Sequence, residues 1–561
     1  MTTNTLSIRQ SDPSVTPDPE AFPKLTDRQI EAIAAVATRR RTCKDGEALW
    51  ELGDKDASFY VVESGAVAIV QPRANGQPRH IVTHVAGGFT GDVDVLTNAA
   101  AVVGGIAEGE TTVLEVCPQA LKRLIVTDSG LSDLILSAFL ARRRALIAGG
   151  LGSSMVIGSR FQPDSFRIRE FLERNSRPFQ WIDLETADNI SELLDGFGIS
   201  PDETPVVVDS VGNVYRNPSN ADIAEGLGLS TVNTDKIYDI VVVGSGPAGL
   251  AASVYAASEG LDVVTLEATA PGGQASTSSK IENYLGFPTG ISGRDLAQRA
   301  YVQAEKFGAH VVSERAALSL DCSGPVFAVG SGEHAVRGRS VVVATGAQYR
   351  KLPLANCERF EGRGIYYGAT GMEAAMCAGE EVVVVGGGNS AGQAAVFLSG
   401  HSKRVHVCIR SDSLDRTMSR YLISRIDSIP NIEFHPHTEV TALEGDEALA
   451  SVTLTNNKTG AAVENAARHV FVFIGAAPNT RWLDGCVALD QKGFVLTGPD
   501  IPAEELAAGD WAGRAPFLLE TSKPRVFAVG DVRSGSTKRV ASAVGEGSIS
   551  VAMVHRALAD A

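Results

Sequence analysis

The spacing of apolar positions changes twice along the chain, and each change predicts a different kind of domain. Residues 25–40, LTDRQIEAIAAVATRR, space them as a helix does. The runs GEALWELGDKDASFYVVESGAVAIV, RHIVTHVAGGFTGD and TTVLEVC then alternate over short lengths between Gly and Asp turns. Many short strands at such intervals predict a β jelly roll or barrel over residues 21–148. Its last part, 118–144, reads as helix, and Gly149-Gly150 reads as a linker. From 154 to 232 the rhythm is strand MVIG, helix DSFRIREFLERN, strand PFQWIDL, helix NISELLDGFG, strand TPVVVD and helix ADIAEGLGL. That alternation predicts a small α/β domain. Beyond Asn233-Thr234-Asp235 come strongly apolar strands followed by Ala-rich helices.

The first of these strands, 240–243, runs into Gly244-Ser245-Gly246-Pro247-Ala248-Gly249 and then a helix. This is G-x-G-x-x-G in its strand–turn–helix setting. The first Gly makes the turn, the second admits a pyrophosphate and the third allows close packing of helix on strand. Free N–H groups and the helix dipole favour an anion at that point. Glu267 closes the next strand, 23 residues after Gly244, where a carboxylate can hold ribose hydroxyls. The pattern recurs 142 residues later: strand 381–385, then Gly386-Gly387-Gly388-Asn389-Ser390-Ala391, then a helix. The following strand ends in Arg410 instead of an acid. A cation there suits a 2′-phosphate, favouring NADPH, with NADH as the other nucleotide the unit could take. Two Rossmann-type units predict a flavin reduced by a diffusible nicotinamide, with the hydride chemistry belonging to the cofactors.

Composition narrows the possibilities. Among 561 residues, 50 Lys+Arg face 66 Asp+Glu, a net charge of −16 that argues against a nucleic-acid footprint. The polar, Pro-rich first 20 residues read as a flexible tail without the apolar core of a secretory signal. No apolar run is long enough for a membrane-spanning helix. The seven cysteines lie far apart with no CxxC pair, so they predict neither a disulfide framework nor a Cys-based metal site. They read as small buried residues in a reducing cytoplasm.

Residues 236–561 resemble the low-molecular-weight thioredoxin reductases and their flavoprotein relatives. Besides both glycine motifs, the matching pieces are Pro271-Gly-Gly-Gln-Ala-Ser-Thr-Ser-Ser279, Ile281-Glu-Asn-Tyr284, Ala344-Thr-Gly-Ala347, Phe527-Ala-Val-Gly-Asp531 and Lys538-Arg-Val540. The resemblance implies an FAD site lined by Gly244, Ser245, Gly246, Pro247, Ala248, Glu267, Gly273, Gln274, Asn283, Ala347, Gly530 and Asp531, with Arg539 and Val540 beside the flavin. It implies that Gly388, Asn389, Ser390 and Arg410 hold NADPH. It also implies an FAD domain in two parts, 236–351 and 473–561, around a nicotinamide domain at 352–472, and a homodimer. Residues 21–148 resemble a cyclic-nucleotide-binding domain, through Gly53-Asp54, Phe59-Tyr-Val-Val62 and Ser64-Gly65. Residues 154–232 resemble a glutaredoxin or thioredoxin-like fold, with Thr204-Pro205 at its proline turn.

The departures are as informative as the matches. Gly368 and Gly371 stand where the thioredoxin reductases carry the two sulfurs of Cys-x-x-Cys-Asp, and Met372 replaces the acid. Cys377 is the only nearby thiol and reads as helix packing. The family's His-Arg-Arg is Ile409-Arg410-Ser411 here, with Arg416 further on. The thioredoxin-like segment has Ser159-Arg-Phe-Gln162 at its active loop and no cysteine. In the cyclic-nucleotide cassette, Gly88-Phe-Thr-Gly-Asp92, Asp92 replaces the ribose-binding Glu, and Ala101 stands in place of the phosphate-binding Arg. The expectation is an FAD-dependent NAD(P)H oxidoreductase in the cytoplasm, with no catalytic side chain to name. Its acceptor would be a small redox protein such as ferredoxin or flavodoxin, a quinone, or oxygen. The alternatives are a disulfide reductase using partner thiols and, in another class, a redox or nucleotide sensor.

Overall fold

A computed structural model describes residues 19–55, 57–71, 79–97, 99–148, 154–187, 190–209, 213–332, 334–507, 511 and 513–559. The tail 1–18 and the linker glycines 149 and 150 lie outside these residues. The chain forms two compact units. One gathers the described residues up to 159 together with 175–231 and 305–307; the other gathers 160–174, 232–304 and 308–559.

In the first unit, Thr26 and Gln29 cap the helix Asp27–Ala34 reciprocally. A five-stranded antiparallel sheet follows, ordered Arg39–Cys43, Gly104–Val116, Phe59–Gln71 and Arg79–Val85, with Ala48–Trp50 also paired to Gly104–Val116. This is the β domain the alternation predicts. Trp50 stacks on Tyr60, and a Cβ on Gly105 would come within 2.2 Å of the Trp50 ring. Only glycine lets that indole lie flat on the sheet.

The stretch expected as one helix at 118–144 is two, Pro118–Thr127 and Ser129–Ala148. Asp128 turns extended between them, and its carboxylate accepts from the Leu131 amide, so it caps the second helix while ending the first. Next in this unit come strands ordered Phe179–Asp183, Ser154–Gly158, Val206–Val208 and Val214–Arg216, parallel across the first pair and antiparallel after it. The Thr204–Pro205 peptide is cis. Val214–Arg216 escaped the sequence pattern because three half-polar residues carry no alternation signal.

The second unit contains two largely parallel sheets. The seven-stranded one runs His310–Val312, Val263–Leu266, Ile237–Val243, His334–Val343, Phe327–Ser331, Ser319–Asp321, with Val526–Ala528 on the far side of His334–Val343. The five-stranded one runs Ile365–Tyr366, His469–Val472, Glu381–Val385, Arg404–Cys408, Ile432–His435. An antiparallel meander, Thr438–Gly445, Leu449–Asn456 and Ala462–Asn465, is attached to it in sequence. The chain leaves the first sheet through Ala347–Tyr349 and returns through Ala476–Pro478. These two strands pair with each other, and Thr345 and Asn479 bond reciprocally at their bases. The helix Pro163–Arg174 groups with this unit instead of with the strands around it in sequence. Phe166 lies against Tyr366, and Glu173 accepts from Arg294 at 2.6 Å.

One expectation about the cysteines is corrected. Cys322 and Cys486 are joined as a disulfide, although 164 residues separate them. Sequence distance misleads here because the second sheet interrupts the first, which brings Ser319–Asp321 and Arg481–Leu483 back together. Among the described residues no helix is long and apolar enough to cross a membrane.

Candidate functional site

The first glycine loop is built as its spacing requires. Gly244 has φ +100°, and a Cβ there would lie 2.4 Å from the Ala344 carbonyl oxygen. A Cβ on Gly249 would lie 1.8 Å from the Gly244 oxygen. Gly246 caps the helix Pro247–Ser258, and its missing side chain points into space whose nearest atom is Gly273 Cα at 3.9 Å. Pro247 opens the helix, and the amides of the next residues, Ala248 first, have no partner within it. An open concavity facing free amides fits a pyrophosphate.

Glu267 is buried, and its place differs from a simple reach to a ligand. Its Oε2 accepts from both the amide (2.8 Å) and the hydroxyl (2.7 Å) of Ser245, and Oε1 accepts from the Thr269 amide. The carboxylate therefore ties the next strand to the glycine loop itself. The Gly272 amide donates to the Ser245 carbonyl, and Gly273 (φ +54°) abuts Gly246, so the turn leading through Gln274 walls the same concavity.

Asp531 sits in the turn Gly530–Val532 at the start of the C-terminal segment. Gly530 packs against Ala248, and its amide donates to Glu546, which Arg533 grips through two nitrogens. Burial raises the Asp531 pKa, partly countered by Lys538 nearby. Lys538 Nζ donates to the Asp531 main-chain oxygen, and no hydrogen bond reaches the Asp531 carboxyl among the described residues. A half-buried carboxyl lacking donors beside the glycine-loop concavity fits the polyol of a flavin dinucleotide. Val540 begins the helix Val540–Ala559, whose Gly547 packs on the Ala248 carbonyl. Ala347 is buried in its crossover strand. Asn283 and Arg539 are exposed, and no side-chain hydrogen bond or ion pair joins them to the loop among the described residues. Glu546 carried no sequence signal, since its role rests on a contact 16 residues back.

The second loop repeats the geometry. Gly386 has φ +142°, with the Phe473 carbonyl oxygen 2.4 Å from where a Cβ would stand. Gly388 caps Asn389–Ser399 and faces open space. Two residues expected on a nucleotide make protein contacts: Asn389 Oδ1 accepts from the Ser419 amide, and Ser390 Oγ bonds the Tyr349 hydroxyl at 3.0 Å. Tyr349 thus links the crossover strand to this helix start, and burial pushes its pKa up. Arg410 and Arg416 are exposed and form no ion pair among the described residues.

Gly368 and Gly371 flank the start of the helix Gly371–Met376. Gly368 faces Thr277, just beyond the Gly273 turn, and Ala369 bridges to Ser278. Nothing lies within 4 Å of a Cβ on Gly371. The first dithiol position of the resemblance, Gly368, therefore borders the first site, and neither position holds a sulfur. Cys377 is fully buried, with Sγ near Ala374 O and Ser402 Oγ and its pKa raised by burial.

Comparison with known proteins agrees with this geometry. The family described as pyridine nucleotide-disulphide oxidoreductase matches residues 238–547, and the cyclic nucleotide-binding domain family matches 40–128. The chain is 34% identical to NADPH-dependent thioredoxin reductase 3 of Arabidopsis thaliana over 329 residues, 57% of this chain and 58% of that protein. It is 32% identical to the thioredoxin reductase of Streptomyces clavuligerus over 325 residues, 58% of this chain and 94% of that one. The thioredoxin reductase of Lactococcus lactis, in the FR conformation, superposes with a TM-score of 0.52 at 27% identity, covering 58% of this chain and 100% of that chain. That of T. acidophilum gives 0.51 at 27% identity, covering 57% and 98%.

Proposed function

Because the chain belongs to the pyridine nucleotide-disulphide oxidoreductase family and is an FAD-dependent NAD(P)H oxidoreductase, we propose that it sends electrons to an external acceptor without an internal dithiol. FAD, when bound, supplies hydride acceptance from the nicotinamide and release of one or two electrons. The chain's own residues bind and orient. Gly246 and the first amides of Pro247–Ser258 take one pyrophosphate, Asp531 offers its carboxyl to ribityl hydroxyls, and Gly388 with Asn389–Ser399 takes the second pyrophosphate. The crossover strands Ala347–Tyr349 and Ala476–Pro478 join the sheet that bears the second glycine loop to the sheet that bears the first.

The observation that supports direct exit is glycine at both dithiol positions, with Gly368 bordering Thr277 and Gly371 opening the next helix, and no sulfur at either. A disulfide relay needs two sulfurs in bonding reach, and Cys377 is sealed in the core. The acceptor is then a small redox protein of the ferredoxin or flavodoxin kind, a quinone or oxygen. We extend the same reading to a cytoplasmic homodimer, on the family resemblance alone.

An anaerobic NADPH titration followed by an acceptor panel tests this. We expect NADPH to bleach the flavin, and quinone or a one-electron redox protein to restore it. Thioredoxin should not restore it, and Cys322→Ser with Cys486→Ser should leave turnover unchanged. Efficient thioredoxin turnover that disappears in this double variant would overturn the reading.

Arg410→Ala should raise KM for NADPH about tenfold at unchanged kcat, since one exposed charge-assisted contact is lost. KM for NADH should not move. An equal effect on both nucleotides would remove Arg410 from the 2′-phosphate.

A further inference from the structure

We propose that His406, His435 and Glu433 bind one divalent first-row transition metal, with Zn2+ as the reference ion, on the nicotinamide-type unit. The strands Arg404–Cys408 and Ile432–His435 are parallel neighbours, with His406 opposite Glu433 and Cys408 opposite His435. A period of two residues puts 406, 433 and 435 on one face of the sheet. Val405 and Val407 turn to the other face and pack with Ala391, Ala394 and Leu398 of the glycine-loop helix. The three side chains therefore stand on the face turned away from the nucleotide-binding helix.

Their ligand atoms converge. His406 Nδ1 lies 3.0 Å from His435 Nε2 and 3.5 Å from Glu433 Oε2, and His435 Nε2 lies 3.7 Å from that same oxygen. Metal–nitrogen and metal–oxygen bonds of about 2.0–2.2 Å in tetrahedral array set neighbouring ligand atoms roughly 3.3–3.6 Å apart. The triangle already has nearly those edges, and its fourth corner is left for water. Two imidazoles and one carboxylate select zinc, cobalt, nickel or copper over magnesium or calcium.

A plain imidazole–imidazole hydrogen bond would account for the 3.0 Å contact alone. It does not account for the third group or for what stands behind the ligands. Arg404 holds the other oxygen of Glu433, Oε1, which leaves Oε2 aimed at both rings. The back nitrogen of His406, Nε2, faces Glu381 Oε2 at 3.4 Å, with the Asn465 amide nitrogen at 3.3 Å. Glu381 is braced in turn by Lys403. These outer groups hold the ring of His406 in place while Nδ1 faces the other two ligand atoms, as the surroundings of a metal-bound histidine do. His406 is buried while His435 and Glu433 are partly exposed, so the site is anchored on one side and open to solvent on the other. A bound ion would fasten the edge strand Ile432–His435 to its neighbour.

The test uses the full-length flavin-loaded protein, stripped with a chelator and titrated with Co2+, whose ligand-field bands fall at longer wavelength than the flavin's. One Co2+ per chain is expected, displaced by one Zn2+, and Zn2+ should raise the melting temperature. His435→Ala and Glu433→Gln, at partly exposed positions, should fold normally and weaken Zn2+ binding at least tenfold. Their melting temperatures should not respond to Zn2+. Absence of stoichiometric Co2+ binding in the unaltered protein, or equal affinity in the variants, would overturn the site.

Discussion

Gly249→Ala is expected to yield protein that purifies without flavin. A Cβ at this position would stand 1.8 Å from the Gly244 carbonyl oxygen and 3.2 Å from the Ala344 side chain. The obstructing atom is backbone, so no rotamer change relieves the clash. Either the helix Pro247–Ser258 withdraws from the strand Ile237–Val243, or the turn opens. Overpacking of this kind costs about 1–3 kcal/mol, and a contact with main chain belongs at the upper end. Withdrawal also pulls the amides after Gly246 away from the concavity they serve. Flavin absorbance relative to protein absorbance should fall close to zero, and melting temperature should drop. Gly226→Ala is the control, because no atom lies within 4 Å of its added Cβ. A yellow Gly249→Ala protein with full flavin content would refute the packing argument for the third glycine.

The two dinucleotide-type units were legible because their signal is local. A strand, six residues of loop and a helix carry the whole instruction, and the backbone of Gly244 and Gly386 obeys it. Family membership followed from motifs strung in the expected order. What was not legible depends on distant segments meeting. The motif directs Glu267 toward a ribose; the fold adds a brace on Ser245, a contact between adjacent strands that no motif records. The Cys322–Cys486 pair spans the inserted sheet and has no spacing rule to announce it. Asn389 and Ser390 match a family pattern, but their side chains are bonded to Ser419 and Tyr349, which lie 30 residues after and 41 before. The break at Asp128 was local and readable. Its neighbours Thr127 and Ser129 are poor helix residues that favour caps, a cue the apolar periodicity on either side concealed.

The loss of thiols gains meaning from where the glycines sit. Had Gly368 and Gly371 lain in an outer loop, the missing sulfurs would say little about electron flow. Gly368 borders the Gly273–Thr277 turn instead, through Thr277, so the departure touches the first site directly. The N-terminal unit shows a parallel case, in which a position the family uses for a ligand is taken over by the chain itself.

Arg143→Met is expected to destabilise that unit by about 3–5 kcal/mol, the cost of leaving buried charge unpaired. Arg143 is 2% exposed. Its Nη2 lies 2.6 Å from Asp92 Oδ2 and 2.7 Å from Asp94 Oδ2, and Arg177 holds the other Asp94 oxygen at 2.6 Å. Removing Arg143 sets two buried carboxylates against one arginine. For a unit of this size the first calorimetric transition of the full-length protein should fall by roughly 6–20 °C. The pH dependence has a definite sign. Burial raises the Asp92 pKa even with Arg143 beside it, and losing the arginine raises it further. A carboxyl whose pKa is higher folded than unfolded favours the folded state at low pH, and that advantage is lost as pH rises through the folded value. The variant's deficit should therefore be larger at pH 8 than at pH 5. The same geometry bears on ligand binding, since the acid that would grip a ribose is already engaged and Ala101 offers no cation to a phosphate. Added cyclic AMP should leave the wild-type transition where it is. A rise in melting temperature with nucleotide, or a variant as stable as the parent, would show that Asp92 is free for a ligand after all.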